Sequence, residues 1–161
     1  MELFFCPNCR SPSIQPDHCP QCNLTRNGKP ETYTEKLLAT ILSNDPTRVG
    51  MAIDVLTTWM HEPKAVIPLL SLLQSPTDAH RLVMAARGLG RLGDNAAVPA
   101  LIEVLKNAEL PFVARIASAQ ALGELGGKDA RQALEQASHD PQRNVARAAQ
   151  ETLEKLVLEG E

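Results

Sequence analysis

Apolar residues along most of this chain recur every three to four positions, and the recurrence is itself repeated. Met84-Ala85-Ala86-Arg87-Gly88-Leu89-Gly90-Arg91-Leu92-Gly93-Asp94 returns as Ala117-Ser118-Ala119-Gln120-Ala121-Leu122-Gly123-Glu124-Leu125-Gly126-Gly127. Leu89 and Leu122 are 33 residues apart, and so are Leu92 and Leu125. Leu56 and Trp59 stand one period earlier, while Leu153 and Leu156 stand almost one period later, after a two-residue deletion. The short spacing predicts amphipathic helices, and the fixed long period predicts helix pairs stacked as a solenoid.

Tyr33 opens the first predicted helix, 33–43, with Leu37, Leu38, Ile41 and Leu42 on one stripe, Thr34 as N-cap and Glu35 just behind it. The repeats follow as alternating A and B helices. The A helices are expected over 46–59, 77–92, 111–125 and 141–158, and the B helices over about 63–74, 96–107 and 128–138. Prolines in the turns before the A helices stop one helix and open the next. Pro99 falls in the first turn of its B helix; Pro68 lies deeper and is expected to bend its own. The turn at His61-Glu62-Pro63-Lys64 reads as two residues longer than its successor, measured from Leu56 to Pro68 against Leu89 to Pro99. Ala52, Ala85, Ser118 and Ala149 each lie four residues before a marker leucine, where a small side chain lets helices approach.

Read in this phase, helix 33–43 is a lone B helix at the front and the fourth A helix has no B partner. Arg143, Gln150, Glu151, Glu154 and Lys155 make that last helix a polar cap. Leu156-Val157-Leu158 is more apolar than a cap needs, which reads either as ordinary packing or as an edge for self-association through the C-terminal helix. The B helices are expected to line the concave side, with Lys64, Ser71, Glu103, Lys106, Gln132 and Glu135 as a mixed partner-binding surface.

Residues 1–30 break the pattern. They hold all four cysteines, no helical period, and too few apolar residues for a core of their own, so this module needs a staple. Cys6-x2-Cys9 and Cys19-x2-Cys22 are separated by a nine-residue spacer. Each Cys-x2-Cys turn can offer two thiolates, and two such turns complete a tetrahedron around one ion. Structural Zn2+ on Cys6, Cys9, Cys19 and Cys22 is the first reading, iron the second, and thiol redox chemistry the third. Four thiolates leave no open coordination position for catalysis, and His18 reads as a neighbour of the site rather than a ligand. The chain thus divides into a metal module at 1–30 and a repeat domain at 31–161.

Composition narrows the function. The 161 residues carry a net charge of -3, and aromatics are only 3%, which suits short packed helices. No apolar run approaches the ~20 residues of a membrane span, and no signal peptide is read at Met1-Glu2-Leu3-Phe4-Phe5, so a reducing, cytoplasmic setting and no membrane partner are expected. Gly126-Gly127-Lys128 lacks the strand and first glycine of a phosphate loop. Arg81, Arg87, Arg91, Arg115, Arg143 and Arg147 recur on the A helices. The net charge and the lack of stacking aromatics argue that they pair with Glu124, Asp94 or Glu151 rather than with nucleic acid.

Ala85-Ala86-x-x-Leu89-Gly90-x-Leu92-Gly93-Asp94, followed by Ala97-Val98-Pro99-x-Leu101, resembles the HEAT-like repeats of the phycobilisome-lyase type. Ala119-x-Ala121-Leu122-Gly123-x-Leu125-Gly126 is a weaker copy, and the resemblance runs from about Thr34 to the C-terminus. The cysteine turns resemble the knuckles of a zinc ribbon, with Pro7 and Pro20 after the first cysteine of each and Arg10 and Asn23 where glycine is common. The resemblance implies an all-α HEAT-like superhelical solenoid behind a small zinc-ribbon-like knuckle. The wider group includes bilin lyases, scaffolds and deoxyhypusine hydroxylase, which holds iron with repeated His-Glu pairs. Here only His61-Glu62 occurs, and the matching turns carry Asp94-Asn95 and Gly127-Lys128, so that activity is not expected. The expected function is a non-enzymatic protein-interaction scaffold. The alternatives are a nucleic-acid-binding accessory protein and a lyase-like chromophore accessory factor.

Overall fold

The computed structural model describes residues 4–5, 12–13, 31–43, 45–74 and 78–159. Eight α-helices follow one another: α1 (Tyr33–Ile41), α2 (Pro46–Asp54), α3 (Val66–Gln74), α4 (Ala79–Leu92), α5 (Val98–Lys106), α6 (Phe112–Leu125), α7 (Lys128–Ala137) and α8 (Arg143–Glu159). Single 3-10 turns, Pro63–Ala65 and Asn95–Ala97, lead into α3 and α5. The helix starts are chemically specified. Asp45 accepts from the N–H groups of Thr47 and Arg48, and Asp78 accepts from His80, each satisfying amides that a helix leaves open. Gly93 ends α4 with φ 70, a left-handed conformation that glycine adopts without a Cβ clash. Pro68 and Pro99 both fall in the first turn of their helices, where the missing N–H has no intrahelical partner. The bend expected at Pro68 is therefore not needed.

One continuous core runs through the stack. Leu56, Leu89 and Leu122, the period markers, are fully buried, and Leu69, Leu101 and Leu134 meet them from the opposite layer. The solenoid is therefore as expected, but the phase of its hairpins is not. α1 packs on α2, α3 on α4, α5 on α6 and α7 on α8 more extensively than α2 on α3, α4 on α5 or α6 on α7. The building block is a former B helix followed by the next A helix. Helix α1 is not a lone element, nor does α8 lack a partner, and the described chain makes four complete hairpins.

Curvature is also the reverse of the expectation. At every step the layer of α2, α4, α6 and α8 is in closer contact than the layer of α1, α3, α5 and α7. Glycines explain it. A Cβ on Gly90 would sit 3.0 Å from the Cα of Ala121 on α6, and one on Gly88 would meet Ile53 and Thr57 of the first repeat at 3.0 and 3.2 Å. A Cβ on Gly123 would collide with Thr152 of α8. Each step in this layer thus has a glycine where two helices touch. A stack with one close-spaced layer curves toward it, so α2, α4, α6 and α8 form the concave side.

Helix α2 does not stop at Asp54. It continues as a π-helical turn, Val55–Trp59, in which Met60 N–H donates to Val55 O at 3.0 Å. The cause is one extra residue. Asp45 to Glu62, the caps opening α2 and the following 3-10 turn, spans 17 positions, whereas Asp78 to Asp94 spans 16. Pro68 corresponds to Ala100 rather than to Pro99, so the difference is one residue and not the two expected. It is absorbed inside the helix, not in the turn. A π-turn holds one residue more than an α-turn, so side chains beyond it rotate around the axis. Leu56 stays buried, but Trp59 takes the place of Arg91 rather than that of Leu92 and is 83% exposed.

Among the described residues, three two-residue strands precede the helices: β1 (Phe4–Phe5), β2 (Pro12–Ser13) and β3 (Glu31–Thr32), in the order β2-β1-β3. Both pairings are antiparallel, with Phe5 opposite Pro12 on one side and Glu31 on the other.

The Ser118 hydroxyl is fully buried on α6 and, among the described residues, has no hydrogen-bond partner. Its counterparts, Ala52, Ala85 and Ala149, are buried alanines. Ser118→Ala should therefore raise the unfolding free energy by about 1 kcal/mol, measured by urea denaturation at unchanged slope.

Candidate functional site

The six side chains expected to meet a partner all belong to the convex layer. Lys64, Ser71, Glu103, Lys106, Gln132 and Glu135 are exposed, at or near α3, α5 and α7. The structure brings them to one side of the stack, but not to the concave side. Because this layer is splayed, clefts open between its helices. One of about 250 Å³ between α3 and α5 is lined by Leu73, Ala100, Glu103 and Val104. Another of about 150 Å³, between α5 and α7, is lined by Lys106, Arg115, Gln136 and Asp140.

The concave side presents different residues. Arg87 on α4, Gln120 and Glu124 on α6, and Arg147, Glu151 and Lys155 on α8 are exposed there. Arg87, Gln120 and Glu151 occupy equivalent repeat positions, which the 33-residue period could have shown once the layers were assigned correctly. A cavity of about 290 Å³ lies between α6 and α8, bordered by Gln120, Gly123, Glu124, Thr152, Lys155 and Leu156. Its lining is mixed, with the polar side chains of Gln120, Glu124 and Lys155 beside the apolar Leu156.

Most of the arginines are tied to groups of their own or a neighbouring repeat. Arg91 bridges to Asp54 at 2.8 Å and Thr58 at 3.0 Å, linking α4 to the first repeat rather than pairing with Asp94. Arg147 pairs with Glu151 at 3.3 Å, as expected. Arg81 donates to the Ser43 carbonyl at 2.9 Å. Arg115 is only 4% exposed. Its Nε donates to Leu105 O at 2.9 Å, and its terminal nitrogens hold the Asp140 carboxylate. Burial alone would raise the Asp140 pKa. The Arg115 hydrogen bond, the Gln142 N–H and the Arg115 charge more than offset that and hold it below the ordinary carboxylate value.

His61-Glu62 forms a capping turn. Glu62 accepts from Lys64 N–H at 3.2 Å, as Asp94 accepts from Ala96 N–H at 2.9 Å one repeat later. His61 is exposed with φ 45. Among the described residues no cluster of His, Cys, Asp or Glu is arranged to hold a metal. Cys6, Cys9, Cys19, Cys22 and His18 lie outside the described residues. The strands nevertheless bracket them in sequence. The connection from Phe5 to Pro12 carries Cys6 and Cys9, and that from Ser13 to Glu31 carries Cys19 and Cys22. Both connections start and end on one small sheet.

Val157 and Leu158 near the end of α8 are exposed, while Leu156 packs on the core. No helix among the described residues is long and apolar enough to cross a membrane.

Known proteins bear on this arrangement. No curated protein matches the sequence. Human deoxyhypusine hydroxylase, solved in complex with glycerol, is similar with a TM-score of 0.65 at 23% identity, over 80% of this chain and 44% of its own, a likeness of fold alone. The complex of CpcE and CpcF of phycocyanin lyase from Nostoc is similar with a TM-score of 0.58 at 28% identity, over 80% of this chain and 55% of the matched chain. The chain thus spans about half the length of these solved proteins. The HEAT repeats profile matches residues 68–154, more than half of the sequence. Periodic helices, stacked hairpins and this match agree that the chain belongs to the HEAT-repeat family.

Proposed function

We propose that this chain is a non-enzymatic scaffold that binds a protein partner on the concave face of α4, α6 and α8, with Zn2+ held structurally by Cys6, Cys9, Cys19 and Cys22. The observation that carries the proposal is the continuous row of exposed polar side chains across three close-packed helices, among them Arg87, Gln120, Glu124 and Lys155. Mixed charge on a preformed curved surface suits a folded protein better than a phosphate backbone. The similarity to a complex of two proteins, CpcE and CpcF, points the same way. The zinc would fold the cysteine segment, which is too poor in apolar residues to do so itself.

The test is affinity capture from native lysate, with and without nuclease, using the intact chain and two variants. Arg87→Glu with Glu124→Lys should lose a nuclease-resistant protein partner, while Lys64→Ala with Glu103→Ala should keep it. The reverse pattern would move the site to the convex layer, and loss of all binding after nuclease would favour nucleic acid. Native mass spectrometry should find one zinc per chain, absent after Cys19→Ser. A second reading, a chromophore accessory factor, rests on the likeness to phycocyanin lyase; a shift in bilin absorbance on mixing with this chain would support it.

A further inference from the structure

Three charges on the concave side are not neutralised within the fold. Among the described residues, Arg87 on α4, Glu124 on α6 and Lys155 on α8 enter no ion pair or hydrogen bond, whereas Arg91 is held by Asp54 and Arg147 by Glu151. All three are exposed. They stand on successive helices of one layer, and their signs alternate. Glu124 and Lys155 occupy equivalent repeat positions and border the same cavity, while Arg87 lies one helical turn from that register. On α2 the same register is held by Trp59, 83% exposed. The charged row therefore ends, at the first repeat, on an indole.

We propose that the element of the partner bound here is a polyproline-II segment laid across these helices, with an acidic, a basic and an acidic residue at every third position and a proline against Trp59. The inference rests on the concave-face reading above and names the chemistry of its partner. Spacing selects the conformation. Packed helices lie about 8–10 Å apart, and small side chains at the contact give the low end of that range. In this layer the contacts are made at Gly90 and Gly123. A polyproline-II chain rises about 3.1 Å per residue with three residues per turn, so one face recurs every ~9 Å. A β-strand returns to one face at about 7 or 13 Å, and an α-helix sets i and i+7 about 10.5 Å apart. Only the first matches one side chain to each helix of the layer. Charge then selects the residues, an acid opposite Arg87, a base opposite Glu124 and an acid opposite Lys155. A polyproline-II backbone has no internal hydrogen bonds, and the exposed Gln120 amide, one turn from Glu124 on α6, can donate to one of its carbonyls. An exposed indole suits a proline ring, the usual contact of such segments.

Synthetic peptides and the full-length chain test this by fluorescence anisotropy at low salt, where surface charge is least screened. A labelled proline-rich peptide with Glu, Lys and Glu at every third position should bind about tenfold more tightly than its Lys, Glu, Lys counterpart, which sets like charges together. Both are palindromic in charge, so chain direction does not enter. Arg87→Glu combined with Glu124→Lys and Lys155→Glu should invert the preference, an outcome that loss of folding cannot produce. The unlabelled first peptide should also shift the emission of Trp59, the only tryptophan, to the blue. Equal affinity for the two peptides, no binding of either, or a preference unchanged in the triple variant would overturn the inference. Tighter binding of a helical peptide with the same charges seven positions apart would overturn it too, and give the face to a helix. The concave-face reading is judged separately by the capture experiment. A nuclease-resistant partner lost with Arg87→Glu and Glu124→Lys, while the two peptides bind equally, keeps the face and sinks the polyproline-II segment.

Discussion

Arg115→Ala is expected to lower the unfolding free energy by about 3–5 kcal/mol, the usual cost of leaving one charge of a buried pair without its partner. The Arg115 side chain is 5% and the Asp140 side chain 13% exposed, so water does little to screen the loss. The substitution also removes the donor to Leu105 O at the end of α5. The size of that cost does not make the pair a strong stabiliser. Arg115→Met combined with Asp140→Leu should recover most of the loss, because the apolar pair has no desolvation cost. A double-mutant cycle by urea denaturation measures both effects. The pair also predicts an acid limb. A carboxyl whose folded pKa is depressed contributes stability that is fully present above its unfolded pKa of about 3.9. That contribution is lost as the pH falls below this value and through the folded one. Asp140→Asn should therefore flatten the loss of stability below about pH 4. An unchanged acid limb would mean that other carboxylates carry it.

Gly90→Val should cost about 3 kcal/mol by prising α4 from α6. A helix ordinarily gains about 1 kcal/mol when glycine becomes alanine, so the sign at each position reports the local space. At Gly90 the nearest obstacle, the Glu124 carboxylate, can swing aside, but the Ala121 Cα at 3.0 Å belongs to the backbone and cannot. Even Gly90→Ala should therefore lose stability. Gly50 provides the contrast, since its nearest neighbour is the Met84 methyl at 3.7 Å. Gly50→Ala should gain about 1 kcal/mol. Thermal melts of the three variants separate helix propensity from packing. A gain at Gly90 would show that the close approach of α4 to α6 is not what holds the layer together.

The period and the buried marker leucines could be read from the chain, because burial on one helical face leaves a regular trace in composition. The phase could not. An alternating series of helices has no intrinsic origin, and α1 followed by α2 reads equally well as the end of one repeat or the start of the next until contact area decides. The curvature followed the same error. Small residues at Ala52, Ala85 and Ser118 were visible as spacers, but the glycines at Gly88, Gly90 and Gly123 set which layer is tight. Gly88 and Gly90 are two residues apart on one helix, so they face its two neighbours rather than marking one position. The inserted residue was legible as a length difference and misplaced because two prolines, Pro68 and Pro99, suggested a false alignment. The bond between Arg115 and Asp140 spans 25 positions and leaves no local signature. For the proposed metal site the spacing of Cys6, Cys9, Cys19 and Cys22 remains the whole of the reading, since these residues lie outside the described ones.

The unequal spacing of the two layers has a mechanical corollary. Glycine-lined contacts on the concave side bring backbones together, so that side can shorten little further and acts as the pin of a hinge. The convex layer, with open clefts between α3 and α5 and between α5 and α7, has room to give. Flexing of the solenoid therefore changes the width of those clefts before it changes the concave surface. Any load that straightens the stack is registered first as a closing of the gaps at Glu103 and Lys106, on the face away from the load.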